Sequence, residues 1–279
     1  MSKYLKDLED KPDLVRRFIA EPLPIEPENY IDSFIGRRVS QYVEKYESDQ
    51  PSFVYVGFQG PHEPWDAPEE YKRYPLDSIP EPIPEKPQGD WLSEESKNYH
   101  TYAQYYQPSH PNQLKEITAG YFGKIAMIDE SIGQILKTYE QKGWLENTYI
   151  ILSSDHGEML GDHGLMLKGC RFYEGLVRIP LIISYPVQFQ KNVITPALVE
   201  LVDLVPTLYE SLGFPIPYYV QGQSLYQVLT GQTTEHRDSA RCEFYGAIDY
   251  PDQTLATMYR DRQWKLVNYH HKGICELYN

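Results

Sequence analysis

The residues of this sequence best suited to chemistry lie in the run SSDHGEMLGDHGLMLKGCRFYEG, positions 153–175. Asp155 offers hard carboxylate oxygens and His156 an imidazole, a pair suited to a divalent cation, and Gly157 lets the backbone turn sharply beside them. Lys168 follows in a glycine-bounded loop, where an ammonium group could neutralise charge that develops on a leaving group. Taken singly, each of these residues also fits a structural role, either capping a turn or standing in solvent.

A second candidate is His62, which stands between two prolines in the run GPHEP. The prolines stiffen its loop, and an imidazole can bind an oxyanion or protonate a leaving oxygen near neutral pH. The alternative is again a purely structural histidine. The functional interpretation gains weight because these candidates follow predicted strands.

Two predicted strands would carry the candidates to one edge of a sheet. SFVYVGF at residues 52–58 precedes His62, and TYIILSS at residues 148–154 precedes Asp155. The carboxyl ends of parallel strands share one edge, and ligands of open α/β sheets bind there. We therefore expect a single site that uses both segments.

The remaining pattern predicts an α/β fold with a mainly parallel sheet covered on both faces, followed by a small antiparallel β unit. Apolar periodicity predicts helices over residues 29–46, 113–143 and 198–212 and a buried strand, PLIISY, over residues 180–185. The predicted divisions are an N-terminal segment (1–28), an α/β domain (29–215) and a C-terminal α+β subdomain (216–279).

The composition of the chain disfavours some classes of partner and location. Forty acidic and 26 basic residues give a net charge of −14, which disfavours nucleic acid as a partner. The three cysteines lie far apart and are predicted to be free thiols. No apolar run reaches the roughly 18 residues of a membrane span, and the start MSKYLKDLEDK lacks a signal-peptide core, so we expect a cytoplasmic chain without a membrane span.

Four runs, in their order and spacing, resemble the later part of the sulfatase family, which belongs to the alkaline phosphatase superfamily. They are GFQGPHEPWDAPEEY, YFGKIAMIDESIGQIL, TYIILSSDHGEMLGDHGLMLKGCRFYEGLVRIPLIISYP and VDLVPTLYESLGF. The resemblance implies an alkaline-phosphatase-like three-layer sandwich, here incomplete. It also implies a hydrolase that cleaves small-molecule or carbohydrate sulfate esters.

The resemblance assigns roles to individual positions. Asp155 and His156 match the family's later pair of metal ligands, Lys168 the lysine that contacts the sulfate and its bridging oxygen, and His62 the histidine facing the leaving group. His163 falls where members of one subgroup place a substrate-binding histidine. The implied cofactor is a divalent metal ion, with Ca²⁺ the first choice and Mn²⁺ or Mg²⁺ as alternatives.

One part of the family pattern is missing. The family's nucleophile is a formylglycine made from a Cys/Ser-x-Pro-x-Arg motif, and its first metal ligands are an Asp-Asp pair; neither occurs here in a matching context. The sequence is therefore expected to be a fragment, inactive alone, whose uncovered edges favour self-association. A phosphonate or phosphate monoester hydrolase and a noncatalytic remnant stay open as alternatives.

Overall fold

The computed structural model describes residues 18–84, 110–246 and 254–279. The chain divides into two compact units, the first made of Met1–Lys86, Thr101–Leu145 and Leu160–Met166 and the second of Pro87–His100, Glu146–Met159 and Leu167–Asn279. The helices and strands are α1 (Ile31–Lys45), α2 (Gln113–Gln141), β1 (Ile150–Ser153), α3 (Glu174–Val177), β2 (Leu181–Ser184), α4 (Leu204–Ser211), α5 (Tyr226–Leu229), β3 (Ala240–Tyr245), β4 (Leu255–Arg260), β5 (Lys265–Tyr269) and β6 (Ile274–Tyr278).

The first unit is built on the pair α1 and α2. A Cβ placed on Gly36 of α1 would stand 2.7 Å from the Cβ of Ser131 on α2, so the missing side chain lets the two helices approach closely. Asp32 and Val43 are buried beside it. The helices predicted over residues 29–46 and 113–143 are confirmed, and the contact through Gly36 leaves Ile31, Phe34 and Tyr42 of α1 exposed.

The segment predicted as the strand preceding His62, residues 52–58, is extended but belongs to no ladder. Its exposed residues include Phe53 and Tyr55, at 86% and 85%. An extended backbone becomes a strand only when its N–H and C=O groups pair with a neighbour. Among the residues that the structure describes, no strand pairs with this segment. The prediction of a strand over residues 52–58 is therefore wrong.

The two strands that flank the Asp155 region pair antiparallel, with Ser153 of β1 opposite Leu181 of β2. The intervening loop returns the chain to the end of β1 from which it left, and the Ser153 hydroxyl donates a hydrogen bond to the Pro180 carbonyl oxygen at 3.0 Å. The strand direction of this pair thus differs from that of the mainly parallel sheet that the sequence predicts. Asp155 still follows the carboxyl end of β1, as predicted.

The C-terminal part forms a four-stranded antiparallel sheet in the order β3–β4–β5–β6, which confirms the predicted antiparallel unit. Each pair joins strands adjacent in sequence, and alternate residues face the core: Ala256 and Met258 on β4, and Val267 and Tyr269 on β5. In the described parts of the chain, no helix is both long enough and apolar enough to cross a bilayer.

Candidate active site

Asp155 and His156 form a donor pair directly after β1. The His156 Nδ1 lies 2.8 Å from the Gly157 carbonyl oxygen, an acceptor, so Nδ1 is placed to donate and Nε2 lies at the other edge of the ring. That Nε2 lies 3.6 Å from the Asp155 Oδ2. The other carboxylate oxygen, Oδ1, accepts a hydrogen bond from the His156 backbone N–H at 2.9 Å, which fixes the carboxylate beside the ring.

This arrangement fits a divalent cation. Two donors about 2.3 Å from one ion, at roughly 90 to 105° to each other, lie about 3.3 to 3.6 Å apart. A backbone carbonyl that holds the far ring nitrogen is the usual support of a metal-ligating histidine. In residues 18–84, 110–246 and 254–279 no group of three or more His, Cys, Asp or Glu side chains converges, so the pair accounts for two ligands only.

Two backbone hydrogen bonds join the Asp155 turn to the segment that carries Lys168, called here the lysine loop, residues 167–175, and a third reaches Leu176 directly after it. The N–H groups of Gly157, Glu158 and Met159 donate to the carbonyls of Leu176, Gly175 and Leu167, respectively, at 2.9 to 3.2 Å. A Cβ on Gly157 would stand only 1.9 Å from the Gly175 oxygen, so this position requires glycine. The structure thus brings the metal-type pair and the lysine loop together.

Lys168 is half-buried at the start of the lysine loop. Leu167 before it and Gly169 after it both have positive φ, 62° and 118°, so the backbone turns sharply on both sides of the lysine. Cys170 and Phe172 are buried in the core of the C-terminal sheet. The loop is therefore anchored on one side by backbone pairing and on the other by apolar packing.

His62 lies in the histidine loop, residues 59–66. Its Nδ1 lies 3.0 Å from the Glu63 carbonyl oxygen and 3.1 Å from the Glu63 Oε2. Both are acceptors, so Nδ1 is placed to donate to them. The His62 side chain is 46% exposed, whereas the Glu63 side chain is only 3% exposed. A buried carboxylate thus orients an accessible imidazole, the pairing found in acid–base sites.

Two charged side chains from the helix pair hold the histidine loop by its main chain. The Asp32 carboxylate accepts from the N–H groups of Gln59 and Gly60, at 2.7 and 3.1 Å. Lys124 Nζ donates to the carbonyl oxygens of His62 and Pro64, both at 2.7 Å.

Lys124 is only 4% exposed. Burial lowers its pKa, and the charges of Asp66, Asp32 and Glu63 act against that shift. A buried lysine is thus committed to the loop's carbonyls.

His163 sits in a separate turn of the first unit. Its backbone has a positive φ of 58°, and its N–H donates to the Ile83 carbonyl oxygen at 2.7 Å. Asp162 completes the link, because its Oδ1 accepts from the Ile83 N–H at 2.8 Å. His62 and His163 belong to the first unit, and Asp155, His156 and Lys168 to the second. Their convergence on one site stays a prediction.

The sequence pattern alone does not predict the roles of Glu63, Asp32 and Lys124. Glu63 could have been found, since it adjoins His62 and a carboxylate beside a histidine is a common orienting pair. Lys124 carries a weaker signal, a single charge in the otherwise apolar run YFGKIAMI. Asp203 accepts a hydrogen bond from the Glu200 N–H in a capping box and also contacts His236 and Arg237.

The fold is that of alkaline-phosphatase-like hydrolases, which confirms the predicted fold class. The structure superposes on the phosphonate monoester hydrolase of Silicibacter pomeroyi with a TM-score of 0.79 at 22% identity, covering all of this chain and 62% of that one. This likeness concerns the fold alone.

The chain belongs to the sulfatase family. The family model described as Sulfatase matches residues 3–214, and the one described as N-sulphoglucosamine sulphohydrolase, C-terminal, matches residues 161–279. The arylsulfatase of Clostridium perfringens is 30% identical over 227 residues, which are 79% of this chain and 46% of that protein. The N-acetylglucosamine-6-O-sulfatase of Bacteroides thetaiotaomicron is 34% identical over 154 residues, 54% of this chain and 27% of that protein. The chain spans half or less of the length of these relatives.

Proposed function

We propose that this chain supplies the leaving-group side of the active site of a sulfuric ester hydrolase. Membership of the sulfatase family supports the reaction class. The observation that carries the proposal is the His62 ring, which is oriented at Nδ1 by the buried Glu63 carboxylate and has an accessible side chain. An imidazole held in this way can deliver a proton from Nε2 to a departing oxygen.

The proposed mechanism divides the work between the two loops. His62, protonated at Nε2, gives that proton to the ester oxygen as the S–O bond breaks, while the Glu63 carboxylate balances the ring's positive charge. Lys168 is proposed, from the family resemblance alone, to lower the cost of the negative charge that develops on a departing oxygen. His163 is proposed to contact the rest of the substrate.

Asp155 and His156 are proposed to hold the divalent ion, with Ca²⁺ as first choice and Mn²⁺ or Mg²⁺ as alternatives. When bound, such an ion polarises the sulfate group as a Lewis acid. The support is the spacing of the Asp155 Oδ2 and the His156 Nε2 and the carbonyl that holds the far ring nitrogen. With two protein ligands the binding is expected to be weak.

The nucleophile is proposed to come from outside these 279 residues, as the formylglycine typical of the family. The printed sequence contains no Cys/Ser-x-Pro-x-Arg motif. The substrate is proposed to be a sulfate ester of a small molecule or a carbohydrate. The names of the relatives, arylsulfatase and N-acetylglucosamine-6-O-sulfatase, support this class.

The test compares 4-nitrophenyl sulfate, glucosamine 6-sulfate and a 4-nitrophenyl phosphonate ester, each with Ca²⁺, Mn²⁺ or Mg²⁺. The protein isolated from its source and the 279-residue chain are assayed side by side. We expect the isolated protein to prefer the sulfate esters and Lys168→Ala to lose roughly 100-fold in kcat. Lys191→Ala is the control, because the Lys191 side chain is 66% exposed and pairs only loosely with Glu146, at 3.7 Å.

The alternatives give different results. Preference for the phosphonate ester would make the protein a phosphonate or phosphate hydrolase, since the same cations suit either tetrahedral anion. A noncatalytic remnant would show neither turnover nor micromolar metal binding. Calorimetry with each ion, on the chain and on Asp155→Asn, measures the binding without any need for turnover.

A further inference from the structure

The lysine loop contacts the C-terminal sheet in two ways, by apolar packing and by polar contacts of Lys265. Cys170 and Phe172, two and four residues after Lys168, are 0% and 5% exposed. They share one core cluster with the inward-facing residues of β4 and β5, which are Ala256, Met258, Val267 and Tyr269. The apolar side chains that follow Lys168 therefore pack on the inward face of the C-terminal sheet.

A buried cation of the sheet reinforces this contact. Lys265, the first residue of β5, is 8% exposed, and its Nζ donates to the Phe172 carbonyl oxygen at 2.9 Å and to the Glu174 Oε1 at 2.6 Å. Arg260 of β4, the register partner of Lys265, donates to the same Glu174 oxygen at 2.6 Å. The Lys265 ammonium group thus binds the lysine loop at two points, the Phe172 carbonyl oxygen and the Glu174 carboxylate.

Glu174 is held in its charged form. Partial burial would raise the pKa of this carboxyl, but the hydrogen bond from Lys265 and the charges of Lys265, Arg260 and Arg178 together lower it. The anchor is therefore intact at neutral pH. The arrangement also explains why Lys265 is tolerated in a buried position, since its Nζ has both a carboxylate and a carbonyl as acceptors.

We propose that Lys265 is a positioning residue: through the Phe172 carbonyl and Glu174 it fixes the loop that presents Lys168 to the reacting oxygen. The C-terminal sheet is then part of the catalytic apparatus. The inference rests on the proposed function insofar as it takes Lys168 to face the reacting oxygen. The geometry of the anchor is independent of that assignment.

The test is a double-mutant cycle between Lys265→Met and Lys168→Ala, made in the protein as its source produces it, because the 279-residue chain alone is expected to be inactive. The cycle is measured as kcat and KM for 4-nitrophenyl sulfate. We expect Lys265→Met to lower kcat roughly ten-fold with little change in KM, a coupling within the range seen for interacting sites. In the Lys168→Ala background the same change should cost less than about two-fold. Lys265→Arg, which keeps the cation, should restore most of the activity.

A control on the same sheet is Arg241→Met. The Arg241 side chain is 62% exposed and contacts Glu243, not the lysine loop, so it should leave kcat unchanged in both backgrounds. Equal losses from Lys265→Met in both backgrounds would overturn the proposal, because Lys265 would then act independently of Lys168.

Hydrogen exchange separates failure of this inference from failure of the proposed function. In the full chain, Lys265→Met should raise exchange at the amides of residues 169–174 at least ten-fold and leave β3 and β4 protected. Unchanged exchange in the loop overturns the positioning role whatever the activity. If Lys265→Met unfolds the chain, Glu174→Gln supplies the same measurement, because it weakens the ion pair and leaves the Phe172 contact.

Discussion

The histidine loop and the lysine loop carry the two candidate catalytic side chains, yet they are held in different ways. Charged side chains of the helix pair hold the histidine loop by its main chain: Asp32 binds its N–H groups and Lys124 its carbonyl oxygens. The lysine loop is held mainly by burial of Cys170 and Phe172, with Lys265 added at the edge.

Because the two anchors differ in chemistry, their loss should destabilise the two loops in different ways. Removal of a polar anchor leaves carbonyls or carboxylates buried without a hydrogen-bond partner. The resulting destabilisation is confined to that loop and depends on charge. Truncation of an apolar anchor opens a cavity in the core. The resulting destabilisation therefore extends to the sheet against which the loop packs. Variants of either anchor should therefore disturb one loop and spare the other.

The largest effect is expected from Phe172→Ala. Removing an aromatic ring that is 5% exposed leaves a cavity in the sheet core and should lower the free energy of unfolding by about 4 kcal/mol. Urea denaturation measures the change. Phe53→Ala is the control, because Phe53 is 86% exposed and its truncation should cost less than about 0.5 kcal/mol. A similar cost for the two variants would contradict the anchoring of the lysine loop.

The next largest effect is expected from Lys124→Met. The carbonyl oxygens of His62 and Pro64 would lose their donor in a buried site, which should cost about 3 kcal/mol. Hydrogen exchange should rise in the histidine loop and stay unchanged in residues 169–174. Lys137→Met, at an exposed position of the same helix, is the matched control. The account fails at this point if the two lysine variants unfold at the same urea concentration.

Gly157→Ala should have an intermediate effect. The added Cβ would stand 1.9 Å from the Gly175 carbonyl oxygen, so the Asp155 turn must move off the lysine loop at a cost of about 2 kcal/mol. Gly133→Ala on α2 meets nothing within 4 Å and should stabilise the chain by about 0.5 to 1 kcal/mol. Thermal unfolding of the two variants measures whether Gly157→Ala destabilises the chain and Gly133→Ala stabilises it. An unchanged stability of Gly157→Ala would refute the close approach of Gly157 to the Gly175 carbonyl oxygen.

The smallest effect concerns pH. The pKa of Glu174 is below its ordinary value of 4.5, so its contribution to stability is present above pH 4.5 and is lost as the pH falls through the lowered folded-state pKa. Because Glu174 is 45% exposed, the effect should stay under about 1 kcal/mol. Exchange in the lysine loop should rise over that acidic window in the wild type but not in Glu174→Gln. An identical acid response of both proteins would remove Glu174 from the anchor.

Much of this arrangement could be predicted from sequence. The apolar period of α2, the alternation in the C-terminal strands and the position of Asp155 after β1 are local patterns, and the structure confirms all three. The segment at residues 52–58 has strand-like alternation too, but pairing depends on a neighbour that local pattern does not reveal. The antiparallel direction of β2 likewise depends on the path of the connecting loop.

The anchors were beyond sequence reasoning for a related reason. Lys124 and the His62 carbonyl are 62 positions apart, and Lys265 and the Phe172 carbonyl are 93 apart. Both bonds end on backbone oxygens, which every residue possesses, so no residue type marks the partner. A lysine within an apolar pattern indicates that some acceptor must be nearby, but only the fold identifies that acceptor.

The most direct test of the central claim is the dependence of kcat/KM on leaving-group pKa across a series of aryl and alkyl sulfates. If His62 protonates the departing oxygen, His62→Ala should lose most with the poorest leaving groups and little with 4-nitrophenyl sulfate, so the dependence steepens. His110→Ala, whose side chain is 47% exposed beside Glu116, should leave the slope unchanged. A slope in His62→Ala equal to that of the wild type would contradict the account.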